Sequence, residues 1–189
     1  MIRNSARRIQ DRVKEIADSV KGLSSPPRFH PCRVADVVAG VLDALRLLAD
    51  EQGITLQALN LDALPPIQAD EDRLFNAFYN LVNNAIPEVP SGGSVTVRGR
   101  LDQDSKGVVL SVVDTGRGMP PEVRDSLFTY RTISSGKGSG TGLGTKIVKD
   151  VVDAHGGRIT VESEEGKGTA FHITLPVDGP SAPLVINPA

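Results

Sequence analysis

Three stretches of this chain carry side chains suited to chemistry, and each suits a different part of one ligand. The first is Val112-Val113-Asp114-Thr115-Gly116-Arg117-Gly118-Met119, where the apolar run 108–113 stops at an acidic residue. A carboxylate at the end of a buried strand can accept a hydrogen bond from the exocyclic amine of a purine. Apolar atoms such as those of Met119 would cover the ring faces. Gly116 and Gly118, at alternate positions, force a tight turn whose backbone can lie against a flat group. Taken alone, the octapeptide fits an ordinary hairpin turn as well, so the other two stretches decide.

The second stretch is Gly138-Ser139-Gly140-Thr141-Gly142-Leu143-Gly144, running straight into a helical pattern. Free N–H groups at a helix start, approached closely through glycines, make an anion site suited to a polyphosphate. Other phosphate motifs are missing. Gly136-Lys137 and Gly166-Lys167 are each followed by glycine, which excludes a P-loop. The strictly alternating glycines also lack the Rossmann spacing. In the third stretch Asn76, Asn80, Asn83 and Asn84 share one arc of a helix whose other arc carries Leu74, Phe78, Leu81, Val82 and Ala85. Asparagine is a mediocre helix former, so four amides in place of Lys and Glu read as a polar wall facing a ligand. Polyphosphate calls for magnesium, which takes oxygen ligands and keeps several waters. Asn84 is placed to give one carbonyl oxygen.

Positioning these groups requires a fold with helices and strands intermixed. Residues 2–23 place Ile2, Ala6, Ile9, Val13, Ile16, Val20 and Leu23 at alternate steps of four and three, a heptad seam. Residues 24–32, rich in proline and serine, read as a hinge, and 33–177 as the main domain. Val34, Val37, Val38, Val41, Leu42, Leu45 and Leu48 stripe a second helix closed by Gly53. Residues 54–61 read as a strand, and Asp70 caps the asparagine helix, expected over 71–86. Residues 94–101 and 108–113 read as antiparallel strands, 120–127 as a short helix and 129–144 as a mobile loop. A last helix carries Leu143, Ile147, Val151 and Ala154, and two alternating strands follow at 158–163 and 170–175. The tail, 178–189, reads as disordered.

Composition narrows the class. With 189 residues, 39% hydrophobic and only 4% aromatic, the chain has an aliphatic core. A net charge of -2 argues against a phosphate-dominated nucleic-acid groove. One cysteine, Cys32, fits a reducing compartment, and a cytoplasmic location without direct membrane contact is expected.

Asn80-Leu81-Val82-Asn83-Asn84-Ala85, Asp114-x-Gly116-x-Gly118, Gly140-Thr141-Gly142-Leu143-Gly144 and Gly166-x-Gly168-Thr169 occur in this order. They resemble the ATP-binding boxes shared by sensor histidine kinases, DNA gyrase, MutL and the large heat-shock chaperone. His155-Gly156-Gly157, Val161-Glu162-Ser163 and residues 171–176 are similar to the histidine-kinase branch. The resemblance spans roughly residues 28–177. It implies an α+β fold, a two-layer α/β sandwich with a mixed sheet on three helices, preceded by the heptad helix. It implies ATP with Mg2+: Asp114 reading the adenine amine, Gly116, Gly118, Met119 and Leu143 lining the pocket, and Thr169 beside the base. Asn84 would hold the metal, Asn80 would stand in the catalytic position, and Gly140, Thr141, Gly142 and Gly144 would cradle phosphates. Residues 129–141 would form a lid from which Lys137 or Arg131 reaches the γ-phosphate.

The chain departs from the family pattern at Pro87, at Thr145-Lys146, and in having no His-Glu-x-x-Asn/Thr-Pro phosphoacceptor motif. His30, His155 and His172 lack that context and read as structural. The expected function is the catalytic domain of a histidine kinase, a fragment that phosphorylates a histidine outside these residues. Its partners would be a phosphoacceptor domain and a response regulator, and residues 2–23 would form a homodimer in the parent protein. An ATP-hydrolysing clamp is the alternative. Asn80 disfavours it, because relatives that hydrolyse ATP place a glutamate base there. Asp114-Thr115-Gly116 also matches the aspartic-protease triplet, but a dimer would have to supply the second aspartate.

Overall fold

The computed structural model describes residues 26–102, 106–128 and 143–180. Its elements are β1 (His30–Cys32), α1 (Val34–Gln52), β2 (Thr55–Leu59), β3 (Ile67–Ala69), α2 (Glu71–Ala85), a 3-10 turn (Ile86–Glu88), β4 (Ser94–Asp102), β5 (Gly107–Asp114), α3 (Pro121–Ser126), α4 (Leu143–Ala154), β6 (Arg158–Glu164) and β7 (Gly168–Pro176). Five strands form one mixed sheet in the order β2-β4-β5-β7-β6, and β1 pairs with β3 separately. Only the β2–β4 pairing is parallel within the large sheet. Helices α1, α2 and α4 supply the second layer.

The apolar periodicities explain which faces meet. Val34, Val37, Val38, Val41, Leu42 and Leu45 of α1 are buried, as are Leu74, Phe78, Leu81, Val82 and Ala85 of α2. They pack in one core with Val95, Val97, Val108, Leu110, Val112, Ile173 and Leu175 from the sheet. Truncating a side chain such as Phe78, 1% exposed, would cost about 3–5 kcal/mol. The central strand β5 runs through this core, so its last residue, Asp114, is fixed in depth and direction.

Element ends follow local chemistry. Gly53 closes α1 in the left-handed conformation, its N–H donating to the carbonyls of Ala49 and Asp50. Strand β2 stops at Leu59, short of the expected residue 61, because Asn60 turns left-handed at φ 59°. Helix α2 ends at Ala85 and tightens into the 3-10 turn, since Pro87 has no N–H to continue it. The heptad stretch, the loop at 129–142 and the tail from 181 lie outside the described residues.

Within the segment expected as a hinge, residues 28–32 are bonded to the domain. The Arg28 N–H donates to Asp70 Oδ2 (2.9 Å), and the Phe29 ring meets His155 edge-on at 5.2 Å. His155 is 1% exposed. Its Nε2 accepts from the Asp70 N–H (3.0 Å), so the ring proton sits on Nδ1 and is donated to the Val151 carbonyl (2.7 Å). Burial holds the His155 pKa below its usual value, only partly offset by the Val151 hydrogen bond and the Asp70 charge. Asp70 meanwhile caps α2 by accepting from the Arg73 N–H.

Candidate functional site

Asp114 ends β5, opposite Val95 on β4 and Thr169 on β7. One carboxylate oxygen, Oδ1, accepts from the backbone N–H groups of Gly116 (2.8 Å) and Thr169 (3.2 Å). Its other oxygen, Oδ2, has no hydrogen-bond partner among the described residues. No buried side-chain polar atom there is left unpartnered, so Oδ2 keeps some exposure to solvent. Desolvation pushes the Asp114 pKa up, the two N–H donors pull it partly back, and the nearby Glu88 charge raises it again. The result is an acceptor held in one orientation that lines a cavity of about 400 Å³ together with Val113, Val161, Ser163, Thr169 and Ala170.

The turn after Asp114 depends on glycine where its backbone is crowded. A Cβ on Gly116 would come within 2.7 Å of the Glu88 carbonyl oxygen, and one on Gly118 within 2.0 Å of that of Glu164. Gly118 also needs φ +66°, which side chains rarely adopt. The Arg117 N–H donates to the Glu88 carbonyl (3.0 Å), and the Gly166 N–H to the Arg117 carbonyl (2.7 Å). An ion pair joins the Arg117 guanidinium to Glu88. Met119, half-buried, donates its N–H to Ser163 Oγ (2.9 Å). That hydroxyl also lies 3.0 Å from Thr169 Oγ1 and 3.1 Å from the Gly168 carbonyl.

Two of the four asparagines, Asn80 and Asn84, face the start of α4. A Cβ built on the buried Gly144 would lie 3.0 Å from Asn80 Oδ1 and 3.1 Å from Asn84 Nδ2. Glycine therefore lets the phosphate-type helix start approach both amides. Asn80 donates its Nδ2 to the Asn76 carbonyl (2.7 Å), which fixes its orientation. Asn84 is exposed. Helix α4 begins at Leu143, while Lys137, Gly140, Thr141, Gly142 and Arg131 fall outside the described residues. The structure thus brings together Asp114, Gly116, Gly118, Met119 and Thr169 as one group, and Asn80, Asn84 and Gly144 as a second.

Sequence reasoning missed two parts of the site. In the sequence Ser163 stands out only as part of a family-like tripeptide, and its bond to Met119, 44 residues away, leaves no local signal. Glu88 follows the proline that ends α2, and nothing in the sequence links it to Arg117. Among the described residues no three His, Cys, Asp or Glu side chains cluster as a metal site. The side-chain atoms nearest the start of α4 are Asn80 Oδ1 and Asn84 Nδ2, and neutral amides whose oxygens can turn toward a cation fit magnesium carried mainly by phosphates and water.

Residues 69–179 match the model of the family described as histidine kinase-, DNA gyrase B-, and HSP90-like ATPases. The chain is 38% identical to sporulation kinase E of Bacillus subtilis (strain 168) over 171 residues, 88% of this chain and 22% of that one. It is 36% identical to sensor histidine kinase ZraS of Escherichia coli (strain K12) over 172 residues, 89% of this chain and 36% of that one. Among solved structures, full-length ShkA in complex with AMPPNP superposes with a TM-score of 0.77 at 28% identity, covering 96% of this chain and 38% of ShkA. The chain therefore spans between about a fifth and two fifths of the length of these relatives.

Proposed function

The chain belongs to the histidine kinase-, DNA gyrase B- and HSP90-like ATPase family, and on that footing we propose that it is the ATP-binding catalytic domain of a two-component sensor histidine kinase. The observation that carries this reading is the half-satisfied Asp114 carboxylate. Oδ1 is held by two backbone donors, leaving Oδ2 to accept from the adenine amine. A guanine carbonyl at that place would set acceptor against acceptor. Met119 covers a ring face and Thr169 sits beside the base, while the start of α4 with Gly140, Thr141, Gly142 and Gly144 receives the phosphates.

Asn84 would hold magnesium through its side-chain oxygen, with Asn80 beside it at the cofactor. Bound there, the metal would neutralise charge on the transferred phosphoryl group. Phosphoryl transfer asks the protein mainly for alignment and charge stabilisation. Lys137 supplies positive charge toward the γ-phosphate. Asn80, already donating to the Asn76 carbonyl, has no basicity to activate water, which favours transfer over hydrolysis. The acceptor is a histidine of a dimerisation domain, and a response regulator takes the phosphoryl group next. Residues 2–23 pair two copies in the parent protein. A cytoplasmic setting agrees with the kinase reading, and no helix among the described residues is long and apolar enough to cross a membrane.

Transfer in trans tests this function. With ATP and magnesium, the 189-residue chain should phosphorylate a separately supplied dimerisation hairpin on its histidine while His30, His155 and His172 stay unlabelled. The rate should be low, because an acceptor in solution lacks the effective concentration of a tethered one. Rapid phosphate release without acceptor labelling would replace the kinase with an ATP-hydrolysing clamp.

A further inference from the structure

We infer that Ser163 is a positioning residue for the nucleotide site, its hydroxyl locking the Met119 turn to the Thr169 side of the pocket. This rests on the reading that the cavity beside Asp114 takes an adenine nucleotide. A serine hydroxyl has one proton and two lone pairs. One lone pair takes the Met119 N–H at 2.9 Å. The remaining capacity meets Thr169 Oγ1 at 3.0 Å and the Gly168 carbonyl at 3.1 Å. Ser163 stands on β6, opposite Thr169 on β7, and Thr169 is in turn opposite Asp114 on β5. The one hydroxyl therefore spans the width of the site, from the turn that carries the apolar cover to the residue whose N–H orients Asp114.

The turn needs such a tie. Residues 115–120 belong to no helix or strand, and Gly116 and Gly118 give their backbone wide freedom once the neighbours relax. Backbone bonds from Arg117 and to its carbonyl fix the middle of the turn. The bond from Met119 to Ser163 fixes its far end, the part that would lie against the base. Among the described residues, the Met119 N–H has no other partner. Removing the hydroxyl leaves that half-buried donor unmatched and frees Thr169 Oγ1 to rotate.

The test compares the full chain with Ser163→Ala and Ser163→Thr by two readouts. One is amide exchange at Met119 without nucleotide, and the other is the dissociation constant for ATP with magnesium. Ser163→Ala should speed Met119 exchange by about tenfold and weaken ATP binding by about tenfold, the size of one lost hydrogen bond. The buried amides of Val97 and Leu110 should exchange as before. Ser163→Thr, which keeps the hydroxyl, should restore both values to within about threefold. Unchanged ATP affinity in Ser163→Ala would overturn the inference. So would a uniform rise in exchange across β4 and β5, which would mark a general loss of stability. Wild-type chain that binds no ATP would fell the nucleotide reading itself, and unaltered Met119 exchange would fell the positioning role whatever ATP does.

Discussion

At the scale of the residue, Asp114 shows how far chemistry can be read along a chain and where it stops. A carboxylate ending an apolar run and followed by alternating glycines announces a polar group at a strand end. Which of its oxygens remains available does not appear locally, because the second donor to Oδ1, Thr169, lies 55 residues further on. The raised pKa of Asp114 has a sign consequence. Its contribution to stability is fully present below the ordinary carboxylate pKa and is lost as pH rises through the folded value, so near pH 7 the ionised form costs the fold stability. Asp114→Asn keeps an Oδ1 acceptor for Gly116 and Thr169, removes that cost, and puts a donor where, on the proposed reading, the adenine amine would donate. It should melt at or above the wild-type temperature at pH 7 and lose ATP affinity by about 2–4 kcal/mol, thirtyfold or more. Thermal melting paired with an ATP titration checks this, and a destabilised variant that still binds ATP would contradict it. Cys32 sits at the opposite extreme. Burial and the charges of Glu71 and Asp36 push its thiol up to about 11, leaving it a core residue without a nucleophilic role.

At the scale of the element, α2 and α4 are tied together at the ends away from the Asn80 and Asn84 contact with Gly144. The N-cap of α2, the C-terminal end of α4 and the segment entering the domain all meet at Asp70 and His155. His155 read as structural from its lack of a phosphoacceptor context, and its ring bonds place it between helix ends. Helical spacing alone could not show that, since Asp70 is 85 residues away. Burial is the largest influence and lowers the pKa; the Val151 hydrogen bond and the Asp70 charge favour protonation without overcoming it, and the Arg73 charge acts with burial. With the folded pKa lowered, the stability from neutral His155 is complete above the unfolded value of about 6.5. It falls as pH drops below that value, by at most about 1.4 kcal/mol per pH unit. Wild-type melting temperature should fall from pH 7.5 to 5.5, while His155→Gln should melt lower at pH 7.5 and show a flatter slope over the same range. Parallel slopes for the two proteins would show that another group titrates. The amide wall of α2 repeats the lesson. Its arc was legible from asparagine spacing, but its partner, Gly144 of α4, emerged only once the two helices were packed.

At the scale of the molecule, the alternating periodicities marked single helices and strands, whereas the layered α+β architecture was legible only through the family that the four ordered glycine- and asparagine-rich boxes resemble. Strand order was less accessible. The parallel β2–β4 pair and the short β1–β3 pair depend on contacts distant in sequence. The two strands β1 and β3 are three residues each, too short for alternation to register. On the proposed reading, Asp114 on the sheet would meet the base, and the corner between α2 and α4, where Asn80 and Asn84 lie against Gly144, would meet the phosphates and the metal. That division makes a quantitative demand on binding. Calorimetric titration of the chain with a non-hydrolysable ATP analogue, with magnesium and then in EDTA, tests it directly. One analogue per chain should bind in both conditions, tighter with magnesium by about tenfold or more, since the metal adds contacts only at the phosphates. Absence of heat and of displacement by ATP in either condition would contradict the account.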